Sequence, residues 1–256
     1  MTQGATVVVS DTHLGAIPLS NERAFRAFLA ALPGQADDLI INGDLFDFWF
    51  EYRSVILRRH FATLRCLAEL VERDVRVRLV GGNHDAWGGD FLRRQIGVEL
   101  LGGETVLEIR GRRTLLAHGD GLGPGDRGYR LLKRLTRARA GTAAFRLLHP
   151  DLATRIAARF SSTAARHAHG PGSEEERAER LSAHALRLLA GDPELELVIF
   201  GHSHRPELRE VDAGRYYLNP GDWIHHCTYG VITADSVRLR RWDPGRPSPG
   251  AGSVHP

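Results

Sequence analysis

Short apolar runs recur along the chain, separated by longer segments in which apolar residues follow a helical period. Five of these runs have the length and the β-branched or aliphatic composition of buried strands. They are residues 6–9, 39–41, 75–80, 114–117 and 195–200. We therefore predict a strand at each of these five positions.

The segments between these runs predict helices. Apolar residues between 25 and 32 lie at helical spacing, with Ser20 as the predicted N-cap and Pro33-Gly34 as the end. Residues 55–71 predict a long amphipathic helix, and residues 174–189 predict another. Strands that alternate with helices indicate an α/β fold with packed sheets.

The segment from residue 124 to about 170 interrupts this alternation. It has no strand-like run, and apolar residues such as Tyr129, Leu132 and Leu135 recur at helical spacing. Residues 127–166 contain ten basic residues and a single acidic residue, Asp151. We predict a helical insertion that caps the functional site; the alternative is a surface hairpin with a solvated basic face.

These patterns predict one domain over residues 1–243 that carries the insertion at about 124–170. Residues 244–256 are rich in Pro, Gly and Ser and predict a disordered tail. No run approaches the roughly 20 apolar residues of a membrane span. The N-terminus lacks the basic and apolar regions of a signal peptide, so a cytoplasmic location is expected.

Composition narrows the class of protein. A hydrophobic content of 42% and a charged content of 25% are typical of a globular domain. The net charge of +3 is too small to indicate nucleic-acid binding, so no such partner is expected. Cys66 and Cys227 are the only cysteines, which provides no disulfide framework and suits a reducing compartment.

Polar residues with the chemistry of metal ligands follow each predicted strand directly. In chain order they are Asp11, His13, Asp44, Asn83, His118, His202 and His204. Ligands of open α/β sheets bind beyond the carboxyl ends of the strands. We therefore expect the five clusters to meet at one rim.

A mixed set of His, Asp and Asn donors suits two divalent ions, with one carboxylate shared between them. Side chains alternate along an extended segment, so Asp11 and His13 are expected on one side, as are His202 and His204. Each motif alone is also typical of an ordinary turn. The ordered set of five favours a metal site.

These motifs resemble the signature blocks of the calcineurin-like metallophosphoesterases. The blocks are Asp11-x-His13, Gly43-Asp44, Gly82-Asn83-His84-Asp85, His118-Gly119 and Gly201-His202-x-His204. The resemblance implies a β-sandwich flanked by helices. It also implies that Asp11, His13 and His204 hold one ion, that Asn83, His118 and His202 hold the other, and that Asp44 bridges them.

The resemblance further implies hydrolysis of a phosphate ester or anhydride. A pair of divalent ions can orient a phosphoryl group and activate water for in-line attack. His84 would donate a hydrogen bond to the phosphate, and would act as a general acid where the leaving group needs a proton. The alternative role of His84 is a structural histidine in a turn.

A narrower resemblance concerns the UDP-2,3-diacylglucosamine hydrolases of lipid A synthesis. It rests on Asp44-Leu45-Phe46-Asp47-Phe48-Trp49, His118-Gly119-Asp120-Gly121-Leu122, Gly201-His202-Ser203-His204-Arg205-Pro206, Asn219-Pro220-Gly221-Asp222-Trp223 and the position of the insertion. That family cleaves its substrate to UMP and 2,3-diacylglucosamine 1-phosphate, usually with Mn. Its cap receives acyl chains.

This resemblance implies a nucleotide-linked glycolipid as substrate. Asp126, Tyr129 and Arg130 stand where the cap of that family begins, so we predict substrate contacts there. A basic, amphipathic cap suits phosphates and lipid tails, and it predicts peripheral attachment to the inner membrane. The oligomeric state is left open.

One departure keeps other functions open. The best-known members of that family carry Arg where this chain has His84. His84 therefore leaves a soluble phosphodiesterase or phosphatase with another substrate as the alternative. A third alternative is a catalytically inactive scaffold with this fold, although such a protein would not need seven matched ligands.

The remaining conspicuous residues have two interpretations each. His225 and His226 lie close enough to the expected rim to contact substrate. Trp49, Trp87 and Trp223 follow signature blocks; packing is the ordinary explanation, and stacking on a base or sugar is the functional one.

Overall fold

The computed structural model describes residues 4–82, 90–122, 143, 145–156 and 173–243. Its strands are β1 (Thr6–Val9), β2 (Asp38–Asn42), β3 (Arg76–Val80), β4 (Glu99–Leu101), β5 (Glu104–Ile109), β6 (Arg112–Ala117), β7 (Leu197–Ile199), β8 (Glu207–Asp212), β9 (Arg215–Asn219), β10 (Thr228–Ile232) and β11 (Val237–Arg241). Its longer helices are α1 (Leu19–Ala31), α2 (Phe61–Glu72) and α3 (Ser173–Gly191). All five predicted strands are confirmed, as is the predicted helix at 174–189.

The strands form two sheets. The first has six strands in the order β11-β10-β1-β2-β3-β4, and the second has five in the order β5-β6-β7-β9-β8. Neighbours from β1 to β4 are parallel, as are β6, β7 and β9. Parallel neighbours direct their carboxyl ends to the same edge, so the chain leaves β1, β2 and β3 on one side of the first sheet.

Alternation along β1 explains how the layers pack. Val8 lies in a cluster with Ile40, Leu116 and Ile199, which come from both sheets. Val7 and Val9 belong to a second cluster that includes the buried faces of α1 and α2. Helix α3 covers the outer face of the second sheet through a third cluster. The result is two stacked sheets flanked by helices, which confirms the predicted fold class.

The prediction of Ser20 as the N-cap of α1 was wrong. The amides of Asn21 and Glu22 donate to the Pro18 carbonyl oxygen at 2.9 and 3.1 Å, so the helix begins at Leu19. Proline fixes φ near the helical value, and its carbonyl accepts the first helical hydrogen bonds here. The Ser20 hydroxyl donates instead to Asn21 Oδ1.

The predicted helix at residues 55–71 begins later than its pattern indicates. A 3-10 turn spans Arg58–His60, and α2 starts at Phe61. Leu57 has an extended backbone, and its side chain is buried in a cluster with Phe48 and Phe50. The apolar residues before Arg58 are thus used in a separate packing contact rather than on a helix face.

Only part of the predicted insertion falls within the described residues. Residues 150–156 are helical, and the Phe145 ring lies 4.7 Å from that of Phe50, centroid to centroid. The rest of the insertion, Trp87 and the predicted tail lie outside the described residues. The domain boundaries therefore stay a prediction. None of the helices in the described part of the chain is long and apolar enough to cross a membrane.

Candidate metal centre

The ends of four strands from the two sheets bring six predicted ligands together. Asp11, His13 and His204 form one group, and Asp44, His118 and His202 form the other. Within each group the candidate ligand atoms all lie within 4.8 Å of one another. The predicted meeting of strand ends at one rim is therefore confirmed for these residues.

The backbone conformation at these residues differs from the extended one that the sequence predicted. The expected extended segments are absent at these positions, because five of the six residues have positive φ. The values are 51° for Asp11, 44° for His13, 53° for Asp44, 63° for His202 and 62° for His204. Side-chain alternation along a strand therefore does not explain the shared direction of each pair. Left-handed non-glycine residues are sparsely populated and cluster at functional sites, where the surrounding structure holds them in place.

Hydrogen bonds between the loops after β1 and β2 hold this backbone in place. The amide of Asp11 donates to the Gly43 carbonyl at 3.2 Å, and the amide of His13 donates to the Asp44 carbonyl at 2.9 Å. The Thr12 hydroxyl donates to the Leu45 carbonyl at 2.6 Å. The two loops thus continue the pairing of their strands beyond the end of the sheet.

Two glycines permit the close approach of the ligands. A Cβ atom at Gly43, whose φ is 86°, would collide with the His118 ring. A Cβ atom at Gly82 would collide with the carboxylate and the amide nitrogen of Asp44. The absence of a side chain at these positions is therefore a steric condition for the site.

The Asp11 carboxylate is fully buried, and its two oxygens have different surroundings. Oδ2 accepts hydrogen bonds from the Ser10 hydroxyl at 2.5 Å and from the His202 amide at 2.9 Å. Oδ1 has no hydrogen-bond donor among the described residues. Its ion-pair neighbours are His204 Nε2 at 3.5 Å, His13 Nε2 at 3.9 Å and His118 Nε2 at 4.0 Å.

Three imidazoles present Nε2 to the carboxylates and Nδ1 to an acceptor behind them. His118 Nδ1 lies 2.8 Å from the Asn42 carbonyl oxygen. His13 Nδ1 lies 3.8 Å from Asp47 Oδ1, and His204 Nδ1 lies 3.5 Å from Asp222 Oδ2. Histidine ligands of metals commonly donate their second N–H to a carboxylate or carbonyl, which orients the ring.

The pKa values of His118 and His202 shift in opposite directions. Burial disfavours the charged form of His118, but Asp44 and Asp11 outweigh burial and raise the pKa of His118 well above its ordinary value. Burial, and then the nearby His118, lowers the pKa of His202 well below its ordinary value. Burial would raise the pKa of Asp222, but His204 and two backbone N–H groups lower it to about 2.

These residues fit a pair of divalent cations. Asp11 and Asp44 are almost completely buried, and buried carboxylates require compensation by positive charge. The imidazole nitrogens and carboxylate oxygens are the donors that Mn, Fe and Zn accept. Asp11 Oδ1, which has no hydrogen-bond donor among the described residues, and the two converging groups therefore suit a binuclear divalent metal site.

Several predicted residues lie outside the described part of the chain. They are Asn83, His84, Asp126, Tyr129 and Arg130. Their assigned roles stay predictions. Sequence reasoning also missed a role for Asp222, which lies behind His204. The signal was present, because Asp222 lies in the Asn219-Pro220-Gly221-Asp222-Trp223 motif, which begins at the last residue of β9.

The described tryptophans pack within the core. Trp49 and Trp223 are fully buried, and Trp223 contacts the rings of Phe25 and Phe28 at 4.8 and 4.9 Å between centroids. Packing therefore explains both residues. His225 and His226 are exposed, and Asp222 Oδ1 accepts their backbone N–H groups.

The chain is similar to two named hydrolases and to one solved structure. A relative from Ralstonia nicotianae named UDP-2,3-diacylglucosamine hydrolase is 34% identical, over 91% of this chain and 93% of its own. A relative from Porphyromonas gingivalis with the same name is 30% identical, over 90% and 94%. A crystal structure of a predicted phosphoesterase from Streptococcus pneumoniae is 17% identical over 96% and 95%, with a TM-score of 0.43.

The family profile of the calcineurin-like phosphoesterases matches residues 5–206, which contain all six candidate ligands described above. This match and the hydrolase names of the relatives confirm the enzyme prediction over the scaffold alternative. The chain belongs to the calcineurin-like phosphoesterase family and is a metal-dependent phosphoesterase.

Proposed function

We propose that the chain hydrolyses the pyrophosphate bond of UDP-2,3-diacylglucosamine to UMP and 2,3-diacylglucosamine 1-phosphate. The observation that carries the proposal is the pair of ligand groups joined across Asp44, in a chain that resembles hydrolases with this name over about nine-tenths of its length. Water would add its oxygen to phosphorus, and the bridging P–O bond would break. The leaving phosphate departs as a stable anion and needs no proton from the enzyme.

We assign one Mn²⁺ to Asp11, His13 and His204, and a second to Asn83, His118 and His202. Asp44 would bridge them, because its Oδ2 lies 3.7 Å from His13 Nε2 and 3.2 Å from His118 Nε2. When bound, such a pair supplies Lewis acidity toward phosphoryl oxygens and lowers the pKa of water. Fe or Zn would also accept these donors.

The protein's own residues would orient and stabilise the reacting phosphate. Asn42 holds His118 through its carbonyl oxygen, and Asp47 lies behind His13, so the rings keep one direction during turnover. His84 would donate a hydrogen bond to the phosphate beside the metal centre. Asp126, Tyr129 and Arg130 would contact the sugar phosphate from the insertion.

An aromatic cluster that follows Asp44 closely in the chain supports a lipid substrate. Phe48 and Phe50 follow Asp44 within six residues and are buried with Leu57. Tyr52 and Phe145 pack against this cluster, and Phe145 belongs to the predicted insertion. An apolar seam between the core and the insertion is suited to acyl chains, because their burial is favourable at about 0.8 kcal/mol per methylene group.

The outer side of this region is both apolar and basic, which supports membrane contact. Val55 is 47% exposed, Phe61 63% and Leu147 88%. Arg53, Arg58 and Arg146 are exposed in the same two segments, and Arg146 Nε donates to the Glu51 carbonyl, which joins the segments. We call these six residues the apolar-basic surface. Apolar side chains among arginines suit an interface with anionic lipids, so we propose peripheral attachment on the cytoplasmic side.

The direct test is hydrolysis of UDP-2,3-diacylglucosamine in mixed micelles by the full chain with Mn²⁺, followed by mass spectrometry. We expect UMP and the diacylated sugar phosphate in equal amounts, and neither product with Asp44→Ala. UDP-N-acetylglucosamine, which lacks the two long acyl chains, is the matched substrate and should react far more slowly. Equal rates on both nucleotide sugars would overturn the lipid assignment.

A soluble phosphodiesterase is the second candidate, and His84 is the observation that favours it. An alkoxide leaving group needs a proton, which an imidazole can donate and an arginine cannot. Turnover of bis(p-nitrophenyl) phosphate without turnover of the lipid would support this candidate. His84→Arg should then reduce hydrolysis of a dialkyl phosphodiester, whose alkoxide leaving group needs a proton, whereas it should preserve hydrolysis of the lipid pyrophosphate if the first proposal holds.

A further inference from the structure

Asp222 joins the candidate metal centre to the turn after β9. Its carboxylate is fully buried. Oδ2 lies 3.5 Å from His204 Nδ1, and the opposite ring atom, Nε2, lies 3.5 Å from Asp11 Oδ1. Asp11, His204 and Asp222 therefore form a chain of contacts that leads from the centre into the protein.

The other oxygen of Asp222 has a separate task. Oδ1 accepts backbone N–H groups of His225 at 2.9 Å and His226 at 3.0 Å, and it lies 3.2 Å from His226 Nδ1. The next residue, Trp223, is buried in the core, and its amide contacts the Asp11 carbonyl at 3.3 Å. The carboxylate is thus held rigidly while Oδ2 faces the imidazole.

His204 needs such support more than His118 and His13 do. Its side chain is 20% exposed, whereas the side chains of His118 and His13 are 1% and 9% exposed. Packing alone therefore restrains His204 less than it restrains those two rings. A carboxylate behind Nδ1 fixes both the ring orientation and the tautomer, and leaves the Nε2 lone pair directed at the site.

We propose that Asp222 is a positioning residue that sets the affinity of the Asp11, His13 and His204 group for a divalent ion. This inference rests on the proposed metal assignment. It concerns a residue outside that ligand set, and it can fail while the ligand set stands.

Asp222→Asn separates the two tasks of the carboxylate. The amide oxygen can still accept the N–H groups of His225 and His226, which preserves the turn. The amide NH₂ then faces His204 Nδ1 and donates to it, which favours the tautomer with hydrogen on Nε2. That tautomer has no lone pair on Nε2, the ring atom that faces the metal centre. Asp222→Ala removes both tasks, and His226→Ala removes only a contact of Oδ1.

The experiment is titration of metal-free full-length protein with Mn²⁺ and Zn²⁺ against a competing fluorescent chelator. We expect Asp222→Asn to weaken the binding of one of the two ions by about 10- to 100-fold, which is the usual effect of losing such a partner. The affinity for the other ion should stay unchanged. The thermal midpoint of the metal-free protein should match wild type. His226→Ala should change neither affinity.

Three results would overturn the inference: wild-type affinity in Asp222→Asn, equal loss for both ions, or the same loss in His226→Ala. If the Asp222 variants do not fold, ¹⁵N NMR of metal-free wild type decides, at a pH where His204 is neutral. Hydrogen on Nδ1 of His204 supports the inference, and hydrogen on Nε2 overturns it. Two bound ions without lipid hydrolysis would overturn the proposed substrate and leave this inference standing.

Discussion

His118 and Asp44 meet at 3.2 Å between Nε2 and Oδ2, although they follow strands of different sheets. Both side chains are almost completely buried. Asp44 also approaches His13, which follows the neighbouring strand of its own sheet. The Asp44 carboxylate is therefore the point at which the two ligand groups and the two sheets converge.

Asp44→Ala should abolish turnover, because it removes the oxygen that faces both groups. We expect activity to fall by at least about 100-fold, as when a hydrolase loses a single group that stabilises the transition state. Metal analysis of the purified variant should show less than the wild-type content. Asp212→Ala, at an exposed carboxylate, is the control. Near-normal activity in Asp44→Ala would rule out the bridging assignment.

The location of the site was predictable because strand ends are visible in the sequence. Val7 to Val9 form an uninterrupted apolar run, and Asp11 follows it after one residue, Ser10. Parallel pairing then brings Asp11 beside Asp44, and no long-range information beyond the order of the strands is needed for that step. The contact of His118 with Asp44 also depends on how the two sheets stack, and the family resemblance implied that arrangement as a β-sandwich.

The positive φ angles and the edge strands could not be predicted in the same way. Asp11 and His13 adopt left-handed backbone because tertiary hydrogen bonds hold the loop, and no local preference encodes that geometry. The β8 sequence, Glu207–Asp212, has only two apolar residues because it lies at a sheet edge. Its periodicity is therefore too weak to distinguish it from a loop.

Asp38 and Arg78 form a buried ion pair, and Asp38 lies at the start of β2, at the end opposite to Asp44. This pair predicts a large effect on stability. Arg78 Nε donates to Asp38 Oδ1 at 3.0 Å, and the Thr6 hydroxyl donates to Asp38 Oδ2 at 2.9 Å. Asp38→Ala leaves the Arg78 charge buried without its partner, which should cost about 3–5 kcal/mol in the free energy of unfolding. Urea unfolding measures this change.

The double variant Asp38→Leu with Arg78→Met is the matched control for that pair. Replacement of both charges by apolar groups leaves no buried ion, so the double variant should be more stable than Asp38→Ala. A loss below about 1 kcal/mol in Asp38→Ala would contradict this prediction, because it would show that the buried pair contributes no more than a surface ion pair does.

His60 predicts a pH dependence of stability below neutrality. Burial, and then the charge of Arg59, lowers the pKa of His60 to about 3. Because the folded pKa lies below the ordinary value of about 6.5, the stabilising contribution of neutral His60 is complete above pH 6.5 and is lost as pH falls toward 3. Between pH 7.5 and 5.5 the loss should be about 1 kcal/mol.

Urea unfolding of metal-free protein at these two pH values tests the prediction. His60 Nε2 lies 3.1 Å from the Phe48 carbonyl oxygen, and the amide of His60→Gln can donate to the same acceptor without titrating. The variant should therefore lose less stability between the two pH values than wild type. Identical losses in the two proteins would show that His60 is protonated in the folded state at pH 5.5.

The apolar-basic surface predicts salt-sensitive binding to anionic membranes. Val55→Asp, Phe61→Asp and Leu147→Asp should each weaken binding to phosphatidylglycerol vesicles by at least about tenfold, because burial of one large apolar side chain contributes more than about 1.4 kcal/mol. Vesicle flotation measures the bound fraction. Added salt should release the wild type, since the contribution of the arginines is screened.

Val106→Asp provides the control, because Val106 is 52% exposed on β5, at the edge of the second sheet, and lies outside the apolar-basic surface. It should bind vesicles like wild type and hydrolyse a micellar substrate at the wild-type rate. The surface variants should also retain that micellar rate, because none of the three residues belongs to the metal centre. Equal loss of binding in Val106→Asp would mean that added negative charge, rather than the removal of an inserted side chain, weakens membrane association.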